Sequence, residues 1–150
     1  MIAKTTRLFA LVGADLAANR LYQMYNYIFE SNGVDASFVN ISVPDSKMRF
    51  TLENIANSEI ESVLLTSSAA NLKEVREFFS VEDFVVRIDI KNGKAEPICA
   101  KIAPCEDEDS LLETARLNFF EWFGFFPLLP EDTLKTLRES APRNSILTRE

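Results

Sequence analysis

RLFALVGADLAANRLYQMYNYIFESNG, Arg7 to Gly33, is the stretch that decides the fold. LFALV is a short continuous apolar run of the kind that a strand buried on both faces requires. Leu21, Met24, Tyr25, Ile28 and Phe29 then recur at helical spacing, and Gly33 supplies the stop. The stretch predicts a strand, a loop opened by Gly13, and an amphipathic helix. In open α/β sheets ligands sit beyond the carboxyl ends of the strands, so the loop from Gly13 to Asn19 is the first place to look for a site. Ala14, Leu16, Ala17 and Ala18 cannot polarise anything, which leaves Asp15 and Asn19 to do chemistry there.

Working outward, Ala36 to Val43 (ASFVNISV) predicts a second strand that stops at Pro44. A helix follows, capped by Asp45 or Ser46, with Met48, Leu52, Ile55 and Ala56 as its apolar stripe. Val63 to Thr66 predicts a third strand, and Thr66, Ser67 and Ser68 lead into a helix that Asn71 and Glu74 could box. Leu72, Val75, Phe78 and Phe79 give that helix its buried side. The β-α-β-α-β-α order implies parallel strands joined by right-handed crossovers.

Phe84 to Ile90 and Ala95 to Ile102 then flank Lys91-Asn92-Gly93-Lys94. Asn-Gly is the strongest short hairpin signal, since both central residues of a type I′ turn need positive φ. The hairpin at 84–102 therefore adds two antiparallel strands. Pro104 to Asp109 is an acidic linker, readable as solvated surface and a favourable helix start. Ser110 and Glu113 predict a capping box for a helix through Trp122, with Leu112, Ala115, Phe119, Trp122 and Phe123 on one side and Gly124 as its end. Pro130 sits near the start of a last helix, and the tail from Ala141 to Glu150 has little to bury. The sum is one domain over residues 1–150, with a β/α core at 1–103 and packing helices at 110–140. Its predicted class is a three-layer α/β/α fold with a mixed, mostly parallel sheet of about five to six strands.

Composition bounds what such a domain can do. A chain of 150 residues, 47% hydrophobic and 26% charged, supports one sizeable core, and no run approaches a membrane span. MIAKTTRLFALVGA loosely imitates a signal peptide, but its apolar part is minimal and meets Asp15 at once, so a buried first strand and a cytoplasmic protein are expected. A net charge of −7 with no basic cluster argues against nucleic acid. The absence of histidine excludes Ser-His-Asp and Cys-His nucleophilic machinery and His-ligated metals, and Cys99 and Cys105 match no zinc spacing. No metal is expected. The only glycines are Gly13, Gly33, Gly93 and Gly124, so no Gly-x-Gly turn exists to approach a dinucleotide pyrophosphate, and no cofactor is expected either.

Two regions resemble the shikimate dehydrogenase family, specifically its substrate-binding domain with the nucleotide-binding domain cut out. Gly13 to Asn26 is similar to the family's opening pattern Gly-Asn-Pro-Ile-x-His-Ser-x-Ser-Pro-x-x-His-Asn in spacing and in Gly13, Leu16, Met24 and Asn26. At the other end Phe119, Trp122, Gly124 and Pro127 fall on the Phe-x-x-Trp-x-Gly-x-x-Pro pattern of the family's returning helices. Pro104 to Asp109 then stands where the family inserts its Rossmann domain. The resemblance is architectural, because its reactive positions are replaced. The carboxylate-holding Ser-x-Ser becomes Asn19 and Leu21, and the Asn-Val-Thr-x-Pro-x-Lys motif lies over Leu64 to Ala70 with only Thr66 kept. The catalytic lysine falls on Ala70 and its partner aspartate on Lys101. The Asn-Thr pair falls on Val86 and Arg87, and the ligand-binding glutamine on Thr114.

The resemblance thus implies no catalytic residue and a remodelled pocket whose candidate ligand-binding residues are Asn19, Thr66, Ser67, Ser68, Arg87, Lys101 and Thr114. Hydroxyls with cations would suit a small carboxylate or phosphate. Each residue also has a plainer reading: Ser and Thr at a strand end cap turns, and Arg87 or Lys101 on an edge strand guards against edge pairing. The leading expectation is a non-catalytic domain that binds a small anion or a protein. The alternative is a component of a shikimate or quinate dehydrogenase whose cofactor domain lies on another chain. A homo-oligomer stays open because Phe119, Phe120, Phe123, Phe125 and Phe126 offer more aromatic surface than one helix face buries.

Overall fold

The computed structural model describes residues 5–139. Five strands, β1 (Arg7–Gly13), β2 (Ala36–Ser42), β3 (Ile60–Leu65), β4 (Phe84–Lys91) and β5 (Lys94–Ala100), form one sheet in the order β2-β1-β3-β4-β5. β1 pairs parallel with β2 and β3, whereas β4 pairs antiparallel with β3 and β5. The sheet is mixed as expected, but divided evenly between the two pairings rather than mostly parallel. The hairpin accounts for the difference, since each of its two strands contributes one antiparallel ladder. Asn92 and Gly93 both have positive φ, +52° and +74°, as the type I′ turn demands.

Helices cover both faces. α1 (Leu21–Ser31), α5 (Glu108–Phe123) and α6 (Lys135–Glu139) pack on the face that carries Phe9, Leu11, Phe38 and Leu64. α2 (Met48–Ile55), α3 (Ser67–Ala70) and α4 (Lys73–Phe79) pack on the other, against Ala10, Val12, Val63, Leu65 and Ile88. The period of two in LFALV feeds both cores alternately, which is why the run is apolar throughout. Among the described residues no helix is long and apolar enough to cross a membrane.

The direction of each crossover follows from chirality. From β1 the chain passes over the α1 face to β2, then returns over the α2 face to β3 on the far side of β1. A right-handed crossover that reverses its direction along the sheet must change faces. The connections leaving β1 and β3 therefore diverge, and a crevice opens between them. Gly13 closes its base: a Cβ there would stand 2.5 Å from Thr66 Oγ1 and 2.6 Å from Thr66 Cγ2, so only glycine lets the β3 end pack this closely on β1.

Several caps differ from the sequence expectation. Neither Asp45 nor Ser46 caps α2; Asp45–Lys47 forms a 3₁₀ turn that runs into the helix from Pro44. The expected helix after β3 is split in two, with Thr66 capping the short α3 and Leu72, without a side-chain bond, preceding α4. The Asn71 and Glu74 box is therefore absent. α5 starts earlier than expected, at Glu108, because the Asp107 carboxylate accepts from the Ser110 N–H at 2.9 Å. Glu113 consequently pairs with Arg116 instead of boxing Ser110. The tail from Ala141 to Glu150 lies outside the described residues.

Asn26, which matches the family pattern, has a structural task. Its amide nitrogen donates to the Phe38 carbonyl at 2.9 Å, and its oxygen accepts from the Phe38 N–H at 2.8 Å. That exchange satisfies one residue of the exposed edge of β2 as a neighbouring strand would.

Phe119 is fully buried against Phe29 and Phe123, whereas Phe125 lies 46% exposed just past the helix end, after Gly124. Phe119→Ala is expected to lower unfolding free energy in urea by about 3 to 5 kcal/mol, and Phe125→Ala by under about 1. Equal effects would show that α5 is an appendage rather than the cover of the α1 face.

Candidate functional site

A cleft of about 670 Å³ occupies the crevice beyond the carboxyl ends of β1 and β3. Ala18, Asn19 and Arg20 from the loop after β1 form one side, and Leu65 and Thr66 from the end of β3 form the base. Thr114, Asn118 and Glu121, spaced at three to four residues on α5, line the third side. Val86 and Arg87 enter from β4. A register shift lies between Val85 and Arg87 in the β4–β5 ladder, and both Val86 and Arg87 line the cleft. Strict alternation would send neighbouring side chains to opposite faces; the bulge is the device that lets two in succession reach one site.

Arg87 dominates the electrostatics. It sits on an interior strand with 7% exposure, so the edge-guard reading does not apply to it. Its Nε and Nη2 donate to the two carboxylate oxygens of Asp89 at 3.0 Å each, and Nη1 donates to Asn118 Oδ1 at 2.9 Å. Nη2 also donates to Glu121 Oε1 at 3.2 Å. Asp89 accepts a further bond from the Ser62 hydroxyl at 2.7 Å, and Asn118 Nδ2 donates to the Tyr25 hydroxyl at 3.0 Å. Ser62 and Asp89 are directly opposed across the β3–β4 ladder. Residues 87 and 89 share a face because they are two apart on a strand. Burial pushes the Tyr25 phenol above its ordinary value, with the Asn118 bond and the Arg87 charge pulling the other way, so it stays a protonated donor at neutral pH.

The other candidate residues fare differently. Asn19 lines the cleft, but its Oδ1 accepts from the Leu21 N–H at 2.9 Å and starts α1. Thr66 lines it and caps α3, accepting from the Ala69 N–H at 3.1 Å. Thr114 lines it and is exposed. Ser67 and Ser68 are not among the lining residues; the Ser67 N–H donates to Glu106 at 3.1 Å, and Ser68 is exposed. Lys101 also lies off the lining, 89% exposed and 3.7 Å from Asp83. Ala70, where the family resemblance places the lysine, is fully buried in the core on the opposite face of the sheet. Four of the seven candidates are thus brought together: Asn19, Thr66, Arg87 and Thr114.

Ser62, Asp89, Asn118, Glu121 and Tyr25 were not anticipated. One signal was present, since Arg87 and Asp89 alternate with Val86, Ile88 and Ile90 in FVVRIDI and a charge pair on one face of so apolar a strand indicates a buried ion pair. Nothing local marks Asn118 or Glu121. Among the described residues no group of three or more His, Cys, Asp or Glu could hold a metal.

The charge network sets a measurable stability term. Arg87→Met leaves Asp89 nearly buried and without its cation, which is expected to cost about 3 to 5 kcal/mol. The Arg87→Met, Asp89→Leu double variant is expected to recover most of that loss, as read by a urea double-mutant cycle. Additive losses would mean that the two side chains act independently.

No protein-family model and no curated protein sequence matches the chain. Solved structures do. A shikimate dehydrogenase in complex with NADP+ superposes with a TM-score of 0.54 at 19% identity, over 83% of this chain and 42% of its own. The shikimate dehydrogenase of Aquifex aeolicus gives 0.52 at 16% identity, over 65% of this chain and 38% of its own. The shikimate 5-dehydrogenase of Listeria monocytogenes, solved in complex with shikimate and NAD, gives 0.52 at 14% identity, over 64% and 35%. This chain therefore spans roughly two fifths of the length of the structures it matches, and at such identities the likeness concerns fold. The chain has the fold of part of a shikimate dehydrogenase.

Proposed function

We propose that the chain is a non-catalytic binding module, equivalent to the substrate-binding part of a shikimate dehydrogenase, that holds a small carboxylate in the cleft between β1, β3 and α5. The observation that carries this reading is the buried, pre-oriented Arg87 guanidinium in the wall of a cleft at the switch point of the sheet. Guanidinium held flat by a bidentate partner is suited to a planar two-oxygen anion. The apolar lining from Leu11, Leu21, Leu64, Val86 and Leu111 would accept the body of such a ligand.

Support for the non-catalytic part comes from the positions that would move protons. Ala70 is sealed in the core and Lys101 is off the cleft lining, so the replaced lysine and aspartate have no substitutes at their own places. Hydride transfer is the work of a cofactor, and this sequence has no Gly-rich turn to seat one.

A second reading rests on a separate observation. Phe120 and Phe126 stack at 4.3 Å while remaining 39% and 49% exposed, and Leu117 and Leu128 beside them in sequence are exposed as well. Such apolar surface favours a protein partner or a second copy, and sedimentation of the purified chain over a concentration series tests for the copy.

Calorimetric titration with shikimate and with quinate, accompanied by amide chemical-shift mapping, tests the leading proposal. Saturable binding is expected, with the largest shifts at Thr66, Arg87, Asn118 and Glu121, and NADP+ is expected to give no saturable heat. Absence of saturable binding by either carboxylate, or shifts confined to residues outside the cleft, would overturn it.

A further inference from the structure

The contacts of Arg87 are unequal. Asp89, which takes two of its N–H groups, has a side chain only 13% exposed, and Asn118 is buried. Glu121, which takes a third direction, has a side chain 57% exposed. A guanidinium carries five N–H donors, and one hydrogen on Nη1 remains without an acceptor among the described residues. The Tyr25 hydroxyl is in the same condition: it accepts from Asn118 and, among the described residues, donates to nothing, although its side chain is 1% exposed and lines the cleft. The two ends of the Asn118 carboxamide thus hold two groups that each keep a donor hydrogen unspent.

Charge decides how an anion could use them. Arg87 and Asp89 cancel, and Glu121 leaves the cluster with one negative charge. Adding an anion while Glu121 stays would crowd three carboxylates onto one cation. Exchange keeps the local charge constant, and a carboxylate already half in water loses little by turning fully into it.

Resting on the reading of the cleft as a carboxylate site, we infer that Glu121 is an intramolecular counter-ion that a ligand carboxylate displaces, the incoming oxygens taking Arg87 Nη2 together with the unspent donors of Arg87 Nη1 and Tyr25. The ligand class is a small monocarboxylic acid with a partly apolar body. A phosphate dianion is disfavoured because it would bring a second negative charge beside Asp89.

The test compares benzoate and inorganic phosphate by calorimetry on three chains: the parent, Glu121→Gln, and Glu113→Gln. Glu113 lies on the same helix, pairs with Arg116 and makes the same charge change away from Arg87. Glu121→Gln is expected to bind benzoate about tenfold tighter than the parent, and Glu113→Gln to stay within about twofold. Tyr25→Phe added to Glu121→Gln should remove most of the gain. Equal tightening by both glutamine variants would reduce the effect to general electrostatics and overturn the inference. Binding by the parent with no gain in Glu121→Gln overturns the counter-ion and leaves the carboxylate site standing. Binding by Glu121→Gln alone supports the counter-ion and overturns the parent chain as a working carboxylate binder. No saturable benzoate binding by any chain overturns both, and a gain for phosphate larger than that for benzoate overturns the ligand class.

Discussion

A guanidinium on an interior strand, 7% exposed, is the constraint around which the rest of this structure is arranged. A buried cation is tolerated only when its charge is matched and its donors are occupied. Asp89 matches it from the same strand and the same face. That carboxylate then requires its own partner, which Ser62 supplies from β3. Asn118 on α5 completes the set and passes it to Tyr25 on α1. Two strands and two helices are thereby fixed to one another beside the cleft by buried polar contacts, whose geometry is more directional than that of the surrounding apolar packing.

The backbone route makes the room for that cluster. β1 sends its connection to one face of the sheet and β3 sends its own to the other, so the space between their ends is filled by neither. Gly13 and Thr66 draw the two strand ends together at the base, and the Val86 bulge turns β4 toward the opening. α5 closes the third side because its buried edge, Ala115 and Phe119, must cover Phe9 and Phe29. Its next residues around, Thr114, Asn118 and Glu121, then face the cleft as a consequence of helical spacing.

The elements were legible because each rests on a local pattern. Period two in LFALV, period 3.6 in Leu21 to Phe29, and Asn92-Gly93 need no knowledge of the rest of the chain. Caps were less legible, since Asp107 and Ser110 offer competing starts to α5 and the carboxylate reaching the Ser110 N–H prevailed. The site was least legible. Asn118 lies 31 positions from Arg87 and 93 from Tyr25, and no periodicity announces contacts across such separations. Arg87 itself was identified, but a solvated edge position stayed open as its plainer reading, whereas β5 pairs along the far side of β4 and removes that edge.

Why a buried arginine should serve the proposed site better than the exposed Lys101 follows from solvent. Lys101 is 89% exposed, free to hold its own hydration, and its pairing with Asp83 at 3.7 Å is of the kind that contributes little and fades with salt. Arg87 cannot be hydrated from all sides and cannot rotate away from Asp89 without leaving that carboxylate uncompensated. Its direction is therefore fixed before any ligand arrives, and the ordering cost on binding is correspondingly small. In a chain of net charge −7 a cation so placed would attract any mobile carboxylate within reach, and Glu121 is within reach. An acidic protein that keeps a rigid cation in a cleft must then either surrender the cation to its own side chains or hold it with one that lets go. The unequal exposure of Asp89 and Glu121 divides those two tasks between two carboxylates: the first fixes the guanidinium, and the second only occupies it.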